Sequence, residues 1–295
     1  MAGAVLERSH ACLNPRPFRQ RRQRRQTVCL LACILYGLLS GHASAVGISD
    51  RSDIHVGPDL YQTQNAGRDW SLTVAGNPPC LYRFEVRPGD NWLREPARQA
   101  GSSVERSELG AADRPGVSGF DVPIWTAYQF RIEPGAPSTA QWVVLGDWHV
   151  LPDPEDTAVS LSSPWQLELR SGDSLVFDVR QSAEKPIRAT PWENRLWTSP
   201  APIARGVWHS LVSVAVFDWR PDGGGMVKLW LDGQKVVDRT GPLGYDMVRP
   251  DYFKFGIYRA AATDTLAVDY ANVELTRTSL EARIMTPPPI CGAAK

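Results

Sequence analysis

The sequence predicts an all-β fold of two antiparallel sheets packed face to face as a jelly-roll sandwich, and three observations predict it. After residue 45 the 295-residue chain has little helical periodicity and many stretches of alternating apolar and polar residues, the pattern of strands with one buried face. The Asp232-Gly233 pair separates two such stretches, as in a tight hairpin. Glycine and proline recur between the stretches at the intervals typical of sandwiches.

The first 45 residues have the pattern of a secretion signal. A basic run at 19–25 precedes an apolar run at 27–39, and Ala43 and Ala45 then fit the small-residue rule for signal-peptidase cleavage. The apolar run is short compared with the roughly 20 residues of a membrane-spanning helix. We therefore expect a secreted or periplasmic protein without a stable membrane span after processing, and an uncleaved membrane anchor is the alternative.

Charge and cysteine content bound the function of the remaining chain. Seven of the 32 basic residues and one of the 32 acidic residues precede residue 46, which leaves a net charge of −6 for the remainder. That balance argues against nucleic acid as a partner. Only Cys80 and Cys291 follow the signal, so an oxidising compartment predicts a disulfide between them, with two free or buried thiols as the alternative.

Residues 46–285 are predicted to form one β domain, expected to be a monomer, and residues 286–295 a proline-rich tail. Residues 171–173 (Ser-Gly-Asp) form a second predicted turn, and residues 151–163 a long polar loop. The predicted strands lie within residues 81–90, 102–108, 124–132, 140–150, 165–179, 206–219, 226–238, 252–259 and 265–277.

The stretch 252–259 (YFKFGIYR) has one face suited to a core and one suited to chemistry. Its apolar face consists of Phe253, Phe255 and Ile257. Its other face carries Lys254 and Tyr258 on either side of Gly256, which we interpret as leaving room for a ligand between them.

Two further strands carry candidate residues. In residues 140–150 the alternation predicts Trp142, Val144, Gly146, Trp148 and Val150 on the core face. It predicts Asp147 and His149 on the opposite face, together with Val143 and Leu145. In residues 102–108, Arg106 and Glu108 share a face. Each residue also has a structural interpretation, such as a hydrogen-bonded histidine, a packed tyrosine or a surface ion pair.

The combination of Arg, His, Lys and Tyr suits β-elimination at a uronic acid. A cation such as Arg106 or Lys254 neutralises the carboxylate while negative charge builds in the transition state. A base removes the proton on carbon 5 and an acid protonates the departing bridge oxygen, roles that suit His149 and Tyr258. When both atoms lie on one side of the ring, as in glucuronate and mannuronate, a single tyrosine can serve both roles. No metal or organic cofactor is required, although a structural calcium ion is left open.

The chain resembles the heparin lyase I and glucuronan lyase type of polysaccharide lyases over about residues 80–276. The resemblance rests on these segments: ERSEL (105–109), VVLGDWH (143–149), GVWHSL (206–211), 223–237, YFKFGIYR (252–259) and VDYANVEL (268–275). It implies a concanavalin-like jelly roll in which His149 and Tyr258 are catalytic, and Arg106 and Lys254 bind the substrate's acid groups.

We include Glu108, Asp147 and His209 in the predicted substrate-binding set. Asp147 stands where family members usually have Gln, and Ala271 where they often have Asp; both departures favour a less charged uronan over heparin. The predicted function is cleavage of an acidic polysaccharide. A non-catalytic carbohydrate-binding sandwich and a glycoside hydrolase, which needs two carboxylates flanking the bond, are the alternatives.

Overall fold

Two antiparallel sheets lie face to face, as the sequence predicts. The computed structural model describes residues 46–48, 50–92, 94, 104–111, 119–156, 160–191 and 193–291, and the predicted signal lies outside them. No helix among these residues has the length and apolar character needed to cross a membrane.

Sheet A contains, in spatial order, the strands β1 (Val46–Gly47), β4 (Leu72–Ala75), β5 (Leu81–Val86), β17 (Leu266–Thr276), β7 (Ile124–Ile132), β12 (His209–Val216), β13 (Met226–Leu231) and β14 (Gln234–Thr240). Sheet B contains β11 (Glu193–Thr198), β10 (Ser174–Ser182), β9 (Trp165–Arg170), β8 (Trp142–His149), β16 (Tyr252–Ala260), β6 (Val104–Gly110), β3 (Asp59–Asn65) and β2 (Asp53–Val56). The short strand β15 (Gly244–Tyr245) pairs parallel with β10. The part of the chain that the structure describes also includes a 3-10 turn at Pro154–Asp156 and a short helix α1 at Ala282–Met285.

The core fills the space between the sheets with the apolar faces of their strands. Phe253, Phe255 and Ile257 of β16 are fully buried there, as predicted. The ring of Phe255 contacts those of Tyr61 and Phe84 edge to face, at centroid distances of 5.5 and 5.6 Å. These contacts stabilise the pair of sheets beyond the effect of apolar burial alone, and they leave the opposite face of β16 outside the core.

The alternation on β8 is interrupted, and this corrects the predicted face assignment. Val143 and Leu145 pack in the core, although the period predicts them on the outer face, whereas Val144 faces outward. The cause is a β-bulge, where the pairing with β9 shifts register between Val144 and Gly146. A bulge inserts one residue and reverses the alternation beyond it. The C-terminal half of the strand, with Asp147 outward and Trp148 inward, keeps the predicted phase.

Strands β1 to β4, β11 and β15 lie outside the predicted stretches. In β3 the buried positions are largely polar, namely Asp59, Thr63 and Asn65 beside Tyr61, so the hydrophobic alternation that marks a strand is missing. The predicted hairpin turn is confirmed, since Asp232 and Gly233 both have positive φ, at 49° and 79°, as a type I′ turn requires.

The C-terminal segment packs on the outer face of sheet A. Leu280 belongs to a small apolar cluster with Trp125, and Trp230, which stacks on Trp125, and Ile284 pack against that cluster. Further on, Cys291 is bonded to Cys80, with 5.3 Å between the two Cα atoms, as the sequence predicts. Residues 286–291 of the predicted tail are therefore tied to the sandwich.

Candidate active site

A cavity of about 280 Å³ lies on the outer face of sheet B, where β6, β16 and β8 run side by side. The pairing of these strands sets the neighbours: Tyr258 lies opposite Arg106, and Lys254 lies opposite Asp147. All the predicted site residues except His209 and the two cysteines line this cavity, which we call the sheet-B cavity: Arg106, Glu108, Asp147, His149, Lys254 and Tyr258.

Gly256 has a structural role in addition to the one predicted. Its φ is +133°, and a Cβ atom there would lie 2.5 Å from the Ser107 carbonyl oxygen and 2.8 Å from the Glu108 Cα. Both contacts are with the backbone of the neighbouring strand β6, which cannot move away without breaking the pairing. The glycine is therefore required by the close approach of two strands, and not only by space for a ligand.

Glu108 organises the two cations of the cavity. Lys254 Nζ donates a hydrogen bond of 2.6 Å to Glu108 Oε2, and Arg106 Nη1 lies 3.4 Å from the same oxygen. Arg106 also donates to Gln64 Oε1 at 3.0 Å. A charged pair as buried as Lys254 and Glu108 needs this mutual compensation. Glu108 therefore holds the two cations in place, and its predicted contact with substrate stays a prediction.

The guanidinium of Arg106 lies over the ring of Tyr258, with Cζ 4.1 Å from the ring centroid. Trp142 packs against the same ring at a centroid distance of 4.9 Å. A cation over an aromatic face is attracted by the ring. The structure thus places Arg106 on the ring of Tyr258 and Lys254 on Glu108.

His149 is held by a carboxylate and a hydroxyl. Its Nδ1 lies 3.1 Å from Asp147 Oδ2 and 3.1 Å from Ser163 Oγ, and the Ser163 hydroxyl donates to the same Asp147 oxygen. Burial alone would raise the pKa of Asp147, but its hydrogen bond to His149, the charges of His149 and Lys254, and the Ser163 hydroxyl together hold that pKa below its ordinary value. Asp147 is thus an anion turned toward His149.

Tyr252 is a second tyrosine of β16 that lines the cavity. Its ring meets that of His149 edge to face at 5.3 Å. Burial, followed by the nearby charges of Asp147 and Glu108, raises the pKa of Tyr252 above its ordinary value. It therefore remains a neutral phenol and forms part of the cavity wall beside the imidazole.

A family model described as polysaccharide lyase matches residues 48–273. The chain belongs to the polysaccharide lyase family. No curated protein sequence gives a significant match. The predicted resemblance is confirmed at the level of a polysaccharide lyase, and its heparin lyase I component stays a prediction.

Several solved structures of lyases are similar to this polysaccharide lyase. An endo-β-1,4-glucuronan lyase from the fungus Trichoderma reesei is similar with a TM-score of 0.54 and 13% identity, over 80% of this chain and 95% of that chain. A family 7 alginate lyase has a TM-score of 0.46 at 16% identity, over 70% of this chain and 81% of its own. An alginate lyase from Pseudomonas aeruginosa has a TM-score of 0.43 at 15% identity, over 73% and 98%. The first of these confirms the predicted jelly-roll class.

His209 is not brought to the sheet-B cavity of the lyase, and its predicted role in substrate binding is corrected accordingly. It begins β12 in sheet A, the other layer of the sandwich. Its Nδ1 lies 2.7 Å from Asp232 Oδ2, and its Nε2 lies 2.9 Å from the Ala204 carbonyl oxygen. Both ring nitrogens thus have partners, and His209 links the 232–233 hairpin turn to the loop before β12, which contains Ala204.

Several residues that line the cavity were not assigned from the sequence, among them Gln64, Trp92, Ser163 and Tyr252. The position of Tyr252, in phase with Lys254 and Tyr258, gave a usable signal. Ser163 ends a loop without periodicity, so no local sequence pattern marked it.

Among the described residues, no group of three or more His, Cys, Asp or Glu side chains is arranged to hold a metal ion.

Proposed function

We propose that this polysaccharide lyase is secreted and cleaves a uronic-acid-containing polysaccharide by β-elimination in the sheet-B cavity. One observation carries the proposal: His149 and Tyr258 line the same cavity. Asp147 holds His149 through a hydrogen bond, and the Arg106 guanidinium lies over the Tyr258 ring. The predicted signal and the Cys80–Cys291 disulfide support secretion, because such bonds persist in oxidising compartments.

Arg106 is the group best placed to neutralise the carboxylate of the bound uronic acid. Its guanidinium lines the cavity and is already oriented by Gln64 and Glu108. A preoriented cation costs no reorganisation when negative charge develops at carbon 5. Lys254 contributes its charge from a position fixed on Glu108, so it acts on the substrate at longer range.

His149 and Tyr258 divide the proton transfers. His149 serves as the base for the carbon-5 proton, and Tyr258 donates a proton to the departing bridge oxygen. On a residue whose two reacting atoms lie on the same side of the ring, Tyr258 can perform both transfers. Its phenolate takes the carbon-5 proton and the resulting phenol donates that proton to the bridge oxygen, while Arg106 stabilises the phenolate before and after the reaction. Each assignment requires a side chain in the cavity and nothing from outside the chain.

The charges of the cavity favour an unsulfated uronan. Two fixed cations, Arg106 and Lys254, face two fixed anions, Glu108 and Asp147, so these four groups cancel. A sulfated repeat brings several negative charges, which this set does not match, whereas a single carboxylate per sugar needs only the local field of Arg106.

The test is an assay of the purified protein on a panel of glucuronan, alginate blocks rich in mannuronate or guluronate, and heparin. A lyase forms an unsaturated product that absorbs in the near ultraviolet. We expect absorbance to rise on at least one unsulfated uronan and not on heparin. New reducing ends without absorbance would indicate a hydrolase, and binding without either signal would indicate a carbohydrate-binding module; both results contradict the proposal.

A further inference from the structure

We infer that Asp147 and Ser163 are positioning residues that hold His149 in one tautomer, with hydrogen on Nδ1 and the Nε2 lone pair left for the cavity. The role of that lone pair as a base rests on the proposed function. The tautomer itself rests only on the hydrogen bonds around the ring, so it can be tested without a substrate.

The donors and acceptors around His149 permit one consistent arrangement. Asp147 is held as an anion and can only accept hydrogen bonds. Its Oδ2 receives the Ser163 hydroxyl and lies 3.1 Å from Nδ1. Because the Ser163 hydrogen is committed to Asp147, Ser163 does not donate to Nδ1. The neutral ring therefore carries its hydrogen on Nδ1, and Nε2 is the nitrogen with a lone pair.

Burial makes this arrangement specific. Asp147 and Ser163 are each 4% exposed, whereas the His149 side chain is 35% exposed and reaches the cavity. The carboxylate has little access to water, so the ring and the hydroxyl are its hydrogen-bond partners. The other neutral tautomer of His149, with hydrogen on Nε2, would place the Nδ1 lone pair against the Asp147 carboxylate. That contact is unfavourable where water is largely excluded.

The backbone of Ser163 is itself held in position by a hydrogen bond from Arg180. Arg180 Nη1 donates to the Ser163 carbonyl oxygen at 2.9 Å and to Gln166 Oε1 at 2.6 Å, and Arg180 is buried. The end of the 151–163 loop is thereby attached to strands β9 and β10. The hydroxyl is therefore held in position before a substrate arrives, as a supporting residue of a preorganised site must be.

Three groups that interact electrostatically with the Asp147 carboxylate lie on β16 or directly before it. Lys254 stabilises its charge from β16, whereas Tyr252, also on β16, and Asp251 just before that strand have pKa values raised by burial and by Asp147 itself. The neutral forms of Tyr252 and Asp251 leave Asp147 as the anion nearest to His149.

The experiment measures the tautomer of His149 by 15N NMR of labelled protein, with His149→Ala used to assign the signal. We expect the neutral wild-type ring to carry hydrogen on Nδ1, and Asp147→Asn to give a mixture of tautomers. Ser163→Ala should weaken the preference and Ser163→Thr, which keeps the hydroxyl, should restore it. A wild-type ring with hydrogen on Nε2, or a preference unchanged in both Asp147→Asn and Ser163→Ala, overturns the inference.

Kinetics on a cleaved uronan supplies the functional readout. Asp147→Asn should lower kcat roughly 10²-fold, the scale of one general-base contribution, with KM within about threefold. Ser163→Ala should show a smaller loss that Ser163→Thr reverses, so the inference remains testable if Asp147→Asn does not fold. An unchanged kcat in both variants contradicts the positioning role. If the wild type cleaves no uronan but the tautomer is as expected, the proposed function fails and the tautomer assignment stands.

Discussion

Lys254 Nζ lies 2.6 Å from Glu108 Oε2, and both side chains are 2% exposed. The two strands that carry them, β16 and β6, are neighbours in sheet B. This pair places one positive and one negative charge at fixed positions in the lining of the cavity. Lys254 therefore already has an ion-pair partner before any substrate binds.

Replacing Lys254 with Met should therefore destabilise the fold as well as reduce activity. Removal of one member leaves the other charge buried and uncompensated, which costs about 3–5 kcal/mol in the free energy of unfolding. The double variant Lys254→Met/Glu108→Leu should recover part of that loss, as measured by urea denaturation. A Lys254→Met protein as stable as the wild type but unable to bind uronan would show that the lysine acts mainly on the substrate.

Arg106→Ala should abolish most activity while the protein stays folded. The change removes the cation beside the substrate carboxylate and the guanidinium over Tyr258. Arg106→Lys keeps a charge but loses the planar group, so it should retain an intermediate kcat/KM. Arg188→Ala, an exposed position that does not line the cavity, is the control.

Two readouts separate a catalytic from a structural Arg106. The loss of binding affinity caused by Arg106→Ala should be far smaller for a carboxyl-reduced polymer that still binds, because no carboxylate is left for the guanidinium to contact. If thermal melting shows instead that Arg106→Ala has unfolded, the residue is a structural ion-pair partner.

The Cys80–Cys291 disulfide should contribute measurably to stability. It joins residues 211 apart in sequence, and the chain-entropy model gives about 5 kcal/mol for so long a loop. We expect Cys80→Ser/Cys291→Ser to melt at a lower temperature than the wild type, with the cavity still functional at low temperature. Titration of the unfolded, unreduced protein should find no free thiol at these positions, and two reactive thiols would contradict the bond.

Asp251 should make the fold less stable as pH rises. Burial, followed by the charge of Asp147, raises its pKa well above the ordinary 3.8. The unfolded chain releases this proton near the ordinary value and the folded chain at a higher pH. The stabilising contribution is thus complete below about pH 3.8 and is lost as pH rises toward the raised pKa.

Asp251→Asn imitates the protonated form, so it should melt at a higher temperature than the wild type at neutral pH. The difference should shrink toward pH 4. Asp222→Asn, at an exposed position, should show no such trend. A difference between Asp251→Asn and wild type that is independent of pH would refute the assignment.

How far the sequence determined the site depended on local regularity. The period of two on β16 correctly separated its core face from Lys254 and Tyr258. The three apolar side chains keep one inward phase even though the pairing with β8 shifts register between Phe255 and Tyr258. On β8 the same reasoning failed before Gly146, because a bulge depends on pairing with β9 and leaves no reliable mark in one strand alone.

Contacts distant in sequence were harder to predict. Ser163 reaches Asp147 from the end of an irregular loop, and Arg106 covers Tyr258 only because β6 and β16 pair in that register. His209 was assigned from a motif, but its strand lies in the other sheet. Residue types and strand phase therefore indicated the chemistry, and the pairing of strands decided which residues take part.

The measurement that tests the central claim most directly is the near-ultraviolet absorbance produced by Tyr258→Phe on a uronan that the wild type cleaves. We expect turnover to be abolished and substrate binding retained, because only the phenol hydroxyl is removed. Tyr82→Phe, which loses a hydroxyl bonded to the His55 and Pro79 carbonyl oxygens and does not line the cavity, should remain active. If Tyr258→Phe keeps near-wild-type lyase activity, the catalytic assignment of the sheet-B cavity is wrong.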